Sequence, residues 1–168
     1  PGQKVKFATL EMAKTIDDLK LRTKALVKGQ DKAGEFYRKS FFGLFGYVSN
    51  RIPEITDAIY KIDDALSAGF GWQLGPFATW DAIGVEESLP YMEKMGITPN
   101  AWIKEMLAAG IKSFYKVEKG AKYFYDITSK SYQIIPGSDK VLSLETLRAE
   151  NTIWKNSGTT IVDLGDGI

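Results

Sequence analysis

The sequence predicts a mainly α-helical bundle followed by a small antiparallel β meander, and three observations carry that prediction. Apolar residues recur at three- and four-residue steps from about residue 31 to 110. Between two of those helical patterns lies a dense corner, G-F-G-W-Q-L-G-P-F, in which Gly69, Gly71, Gly75 and Pro76 demand defined backbone geometry rather than a solvated loop. After residue 113 the period changes to that of strands, in short aromatic and β-branched runs.

Residues 3–8 alternate weakly and read as a short strand, after which Thr9 is the expected N-cap of a helix carrying Leu10, Met12, Ala13 and Ile16. A second helix is expected over 17–28, closed by Gly29. From Asp31, the residues Tyr37, Phe41, Leu44, Phe45, Val48 and Ile52 form a stripe, and Phe36, Phe42 and Tyr47 make the helix apolar nearly all round, the pattern of a central buried helix. Gly43 and Gly46 inside it each cost roughly 1 kcal/mol relative to Ala, a cost that close approach of another helix would offset. Pro53 ends this helix or starts the next.

The next helix, 53–68, places Ile55, Ala58, Ile59, Ile62, Ala65 and Leu66 on one stripe, with Gly69 as its expected C-cap. Gly75 and Pro76 suit the N-cap and first-turn positions of a short helix with Phe77, Trp80 and Ile83, stopped by Gly84. A helix over 85–95 should bend or restart at Pro90, and Thr98-Pro99 should open one with Trp102, Ile103, Met106 and Leu107, ended by Gly110. Strands are expected at 113–117, 122–126 and 132–135. Leu142 and Leu147 then flank Ser143 as a hydrophobic staple would, giving a helix to Glu150, and 159–164 is a strand without a visible partner.

Composition limits the chemistry. The 168 residues are 44% apolar, enough for a core, and their near-neutral formal charge of +1 without charge runs argues against nucleic acid. No apolar run is long enough for a membrane span and no signal peptide is visible, so a cytoplasmic setting is the default expectation. With no Cys there are no disulfides or thiolate nucleophiles. With no His the commonest general base and metal ligand is missing. The chain opens at Pro1-Gly2 and reads as a piece of something longer.

The glycine corner could be forced onto a phosphate loop, but it follows a helix and lacks the Lys, so a helix–turn–helix corner is the favoured reading. Asp63 borders the apolar stripe. It is either a perturbed catalytic acid or, favoured, an acceptor for backbone N–H groups of the corner, and Asp81 is read the same way. Adjacent carboxylates at Asp17-Asp18, Asp63-Asp64 and Glu86-Glu87 splay about 100° apart on a helix and form no acid/base or metal pair.

The corner resembles the C-terminal helical domain of 3-hydroxyacyl-CoA dehydrogenases, on Ile62-Asp63, Gly69, Gly71, Gly75-Pro76-Phe77, Asp81 and Gly84. The text around it, K-A-G-E-F-Y and A-G-I-K-S-F-Y, is similar to the second copy of that domain in long bacterial dehydrogenase/enoyl-CoA hydratase fusions. The tail N-S-G-T-T-I-V-D-L-G-D-G-I resembles the opening of the hydratase domain. The resemblance implies a fold of the 6-phosphogluconate dehydrogenase C-terminal type and a parent that oxidises 3-hydroxyacyl-CoA with NAD. The family's dinucleotide fingerprint and His-Glu pair have no match here, so no catalytic, cofactor-binding or metal residue and no cofactor is assigned to this piece. Asn50-Arg51-Ile52 imitates the family's N-R-[LI] motif but lies about three turns too late, that motif belonging near Arg38.

The expected organisation is a helical lead-in over 1–30, the dehydrogenase-type helical domain over 31–110, the meander and short helix over 111–150, and over 151–168 a linker with the first strand of a following domain. The implied partners are the parent's Rossmann and hydratase domains, acyl-CoA in the full enzyme, and a second copy. A stand-alone interaction or dimerisation module, and acyl-CoA binding by this chain alone, are the competing expectations.

Overall fold

The computed structural model describes residues 5–141, 143–156 and 158–165. It is half helical, with a small antiparallel sheet after the helices. The chain divides into two compact units, Pro1–Phe114 and Tyr115–Ile168.

The first unit contains α1 (Ala8–Ala13), α2 (Leu19–Lys28), α3 (Lys32–Asn50), α4 (Ile59–Phe70), α5 (Pro76–Ile83), α6 (Val85–Lys94) and α7 (Ala101–Ala108). Its core is aromatic: Phe42, Phe45, Phe77, Trp80 and Phe114 are essentially inaccessible, and Phe45 stacks on Trp80 at 4.8 Å. The Trp80 indole N–H is satisfied inside this core by Ser88 Oγ at 2.6 Å, whose own hydroxyl donates to Val85 O.

The predicted boundaries shift where capping chemistry competes. Residues 5–7 form no strand, and Gln3 and Lys4 lie outside the described residues. Thr9 sits inside α1 rather than capping it, because its N–H is taken by the Asp31 carboxylate at 3.0 Å. Helix α2 starts two residues later than expected, on the Asp18 cap, and Gly29 closes it. Helix α3 is not buried all round, since Phe36 and Tyr47 are 64% and 63% exposed.

The helix expected from Pro53 begins only at Ile59: residues 51–55 form a turn, Ile52-Pro53 is cis, and Thr56 Oγ1 accepts the Ala58 N–H. Pro90 does not restart α6, which runs through it. Lys94 lies in its last turn, and the N–H groups of Met95, Gly96 and Ile97 close the helix end. Asn100, not Thr98, caps α7, its carboxamide accepting from Trp102 N. Asn50 ties α3 to this segment through Gly46 O and Thr98 O, and Ser49 Oγ accepts the Asn100 N–H.

The second unit holds the meander β1 (Tyr115–Glu118), β2 (Ala121–Asp126) and β3 (Ser131–Ile134), then α8 (Leu144–Glu150) and a hairpin of β4 (Thr152–Lys155) and β5 (Thr160–Val162). Tyr115 pairs with Phe124 and Tyr125 with Tyr132. Lys116 lies over the Tyr123 and Tyr132 rings, and both Glu150 oxygens accept the N–H groups of Lys119 and Gly120 in the first turn. Leu142 lies outside the described residues, so the staple does too; Ser143 caps α8 through Thr146 N. The strand expected without a partner has one: β5 pairs antiparallel with β4, a run whose exposed Ile153 and Trp154 carry no alternating pattern.

Candidate functional site

The corner is a joint in which one carboxylate holds two helices. Asp63, on α4 and only 7% exposed, accepts the Phe77 N–H at 2.9 Å on Oδ1 and the Ala78 N–H at 2.8 Å on Oδ2. These are first-turn donors of α5 that no intrahelical carbonyl can reach, and a negative charge there complements the helix dipole. The carboxylate occupies the place where a phosphate would sit on a helix N-terminus.

Gly75 permits this approach. Its backbone is ordinary, φ −71° and ψ 176°, but a Cβ there would stand 2.3 Å from Asp63 Cγ and 2.4 Å from Asp63 Cα. Pro76 follows in the first turn and contributes no N–H to satisfy. Phe77 then enters the core against Phe114, centroids 5.1 Å apart, and Trp102, 6.1 Å.

The remaining signature residues have separate tasks. Gly71, not Gly69, ends α4: it takes the left-handed conformation at φ 67°, with its N–H on Ser67 O. Gly69 lies within α4 with open space where a Cβ would be. Ile62 is half-buried on the inner side of α4. Gly84, at φ 112°, joins α5 to α6 without an intervening loop. Asp81 accepts the Phe114 N–H on both oxygens, at 2.7 and 3.0 Å, fixing the chain after α7 onto α5. Phe70 and Trp72 at the tip are 75% and 39% exposed.

A second joint escaped the sequence reading. Asp31 accepts Thr9 N on Oδ2 and Gly34 N on Oδ1, each at 3.0 Å, uniting the starts of α1 and α3. Those donors, Thr9 N–H first, hold its pKa down to about 2. Arg38 closes the end of α2 from the other side, donating to Val27 O at 2.8 Å and to Gly29 O. Gly29 and Gly34 are needed for the crossing: a Cβ on the first would meet Thr9 Oγ1 at 2.1 Å and on the second Gly29 O at 2.1 Å. The D-K-A-G spacing was the available signal, an N-cap acid three residues before its donor.

Among the described residues no group of three or more Asp and Glu could hold a metal ion, and no helix is long and apolar enough to cross a membrane. Asp63 accepts two backbone N–H groups at the corner, and Asp81 accepts one after α7. What fold and site define is a helical domain in which Asp31 and Asp63 serve helix starts and Asp81 holds the chain after α7.

The comparison with known proteins agrees with the resemblance read from the corner. Over 166 residues, 98% of its length, the chain is 38% identical to a probable 3-hydroxyacyl-CoA dehydrogenase of Bacillus subtilis. Over 44 residues, 26% of its length, it is 34% identical to a putative fatty acid oxidation complex trifunctional enzyme of Rickettsia felis. It spans 21% of the first relative, and the second alignment covers 6% of its relative. The chain is a relative of a segment of a 3-hydroxyacyl-CoA dehydrogenase. No family profile and no solved structure matches it.

Proposed function

We propose that this chain is a non-catalytic helical domain of a 3-hydroxyacyl-CoA dehydrogenase acting in fatty acid β-oxidation, bracing the dehydrogenase half of its parent. The observation that carries the reading is its similarity to a probable dehydrogenase along 98% of its length. The absence of His supports it, because His is the commonest general base near neutral pH.

On this reading NAD binds, and hydride leaves the 3-hydroxyacyl-CoA, on a Rossmann domain elsewhere in the parent. Acyl-CoA meets the full enzyme rather than this piece, a hydratase domain follows, and the assembly is cytoplasmic. The signature Ile62, Asp63, Gly69, Gly71, Gly75, Pro76, Phe77, Asp81 and Gly84 then marks a structural corner. The proposed division remains a lead-in over 1–30, the dehydrogenase-type domain over 31–110, the meander and helix over 111–150, and the opening of the next domain over 151–168.

The test removes the matching segment from the Bacillus subtilis relative and supplies this chain separately. Loss of stability or dehydrogenase activity in the truncated enzyme, partly restored by the added chain, is the expected result. A truncated enzyme of unchanged stability and activity would overturn the bracing role.

A further inference from the structure

Helix α4 buries little of itself. Of its twelve residues only Ile59 and Asp63 are buried, and it packs mainly on α5. Its apolar stripe runs on through Ile62, Leu66 and Phe70 at four-residue steps, half-buried at the first two and 75% exposed at the last. Trp72, 39% exposed, stands two residues beyond. Residues 65–80 are the longest uncharged run of a chain in which 26% of residues are charged. The backbone of this tip is held: Gly71 N–H bonds Ser67 O at 3.0 Å, Ser67 Oγ donates to Trp72 O at 2.8 Å, and Asp63 clamps α5 beneath it. Exposed aromatic rings on an uncharged, fixed turn have the composition of an interface core.

We propose that this tip is the surface by which the chain braces its parent, Phe70 and Trp72 entering an uncharged apolar pocket on another domain of the same polypeptide. The inference rests on the bracing role proposed above and names the surface that performs it. A fixed backbone suits that task, because little ordering is left to occur when the rings dock.

Size and charge select that occupant. The two rings expose roughly 150 and 100 Å², against about 800 Å² per partner in a standard interface between separate proteins. Two copies meeting tip to tip would bury on the order of 500 Å² of ring surface, well short of what a stable dimer needs. A domain on the same polypeptide needs less, because the connecting chain holds it at an effective concentration of about 1 mM. Such a domain has room in the relative: the chain spans 21% of the Bacillus subtilis protein, so most of that polypeptide lies outside the aligned segment. A lipid surface fits worse, since residues 65–80 offer no Lys or Arg to anionic headgroups.

The test grafts this chain in place of the matching segment of the Bacillus subtilis relative and reads hydroxyl-radical footprints of Phe70 and Trp72 in the graft and in the isolated chain. A second arm mixes the isolated chain with the truncated relative at up to about 1 mM, the effective concentration of the tether. With docking that leaves each ring about a tenth exposed, Phe70 should react about sevenfold and Trp72 about fourfold more slowly than in the isolated chain. The double variant Phe70→Ser, Trp72→Gln should keep the Tm of the isolated chain within about 2 °C, because both rings are exposed there, and should lower that of the graft. Rings as reactive in both arms as in the isolated chain would overturn the proposal, and a graft that is nonetheless stable and active would leave the bracing role standing. Protected rings beside a truncated relative of unchanged stability and activity would keep the docking surface and remove the bracing role. Protection of the isolated chain by its own rising concentration, or by phosphatidylglycerol vesicles, would overturn the proposal in favour of a second copy or a membrane.

Discussion

Replacing Gly75 with Ala opposes two physical effects of different sign. The native φ of −71° and ψ of 176° suit any residue, so removing a glycine's freedom from the unfolded chain should stabilise by about 0.4–1 kcal/mol. The added methyl, however, stands 2.3 Å from Asp63 Cγ and 2.4 Å from its Cα, where ordinary carbon contact is about 3.5 Å. The Cα belongs to a helix backbone and cannot rotate away, so α4 and α5 must part by about 1 Å.

That movement stretches the 2.9 and 2.8 Å bonds from Phe77 and Ala78 to nearly 4 Å, beyond hydrogen-bond range. A buried carboxylate and two helix N–H groups then lose their partners, a loss of up to about 1.5–3 kcal/mol per bond, and overpacking itself costs about 1–3 kcal/mol. Partial relaxation lowers the sum, so we expect a net destabilisation of about 2–4 kcal/mol. For a chain of this length that lowers Tm by about 4–16 °C. Urea unfolding followed by far-ultraviolet circular dichroism and by Trp fluorescence, which samples Trp80 and Trp102 near the joint, measures it. A Gly75→Ala chain as stable as wild type, or more so, would refute the close packing of Asp63 on Gly75.

Other perturbations separate the remaining roles. Gly69→Ala, within α4 and facing open space, should raise stability by about 0.5–1 kcal/mol in the same urea series. Asp63→Asn keeps one acceptor but loses the charge facing the helix start and should cost about 1–3 kcal/mol, with circular dichroism reporting unchanged helix content. Asp31 has a folded pKa of about 2, below its ordinary 3.8, so the stability it contributes is present above about pH 4 and is lost as pH falls toward 2. In acid titrations of Tm, Asp31→Asn should therefore flatten the profile between those values and leave the slope above pH 5 unchanged.

The glycine corner was legible because its signals are local and chemically specific. Gly75 before Pro76 announced a helix start, and an acid one turn inside an apolar stripe announced a carboxylate that must find donors. Helix ends failed where a distant group intervened. Thr9 carries a good capping side chain, but Asp31, 22 residues on, takes its N–H. Gly69 and Gly71 are equally good stops in sequence, and only backbone conformation places the left-handed residue at Gly71.

Burial on α3 was overread because periodicity does not reveal which apolar face is covered, and Phe36 and Tyr47, beside Tyr37 and Arg51, stay 64% and 63% exposed. Strand β4 was missed because T-I-W-K neither alternates nor is bounded by strong turn residues, and its pairing with β5 depends on a bulge between Thr152 and Trp154. The Asp31 and Arg38 joint depends on three segments meeting in space, which no single stretch of sequence encodes.

The central claim is that the signature acids of this chain hold a fold and do no chemistry. Its most direct test incubates the purified chain with NAD and a 3-hydroxyacyl-CoA and follows NADH. The account predicts no rate above that of the solution without protein. NADH formation by the wild-type chain, abolished by an Asp63→Asn variant that remains folded, would contradict it.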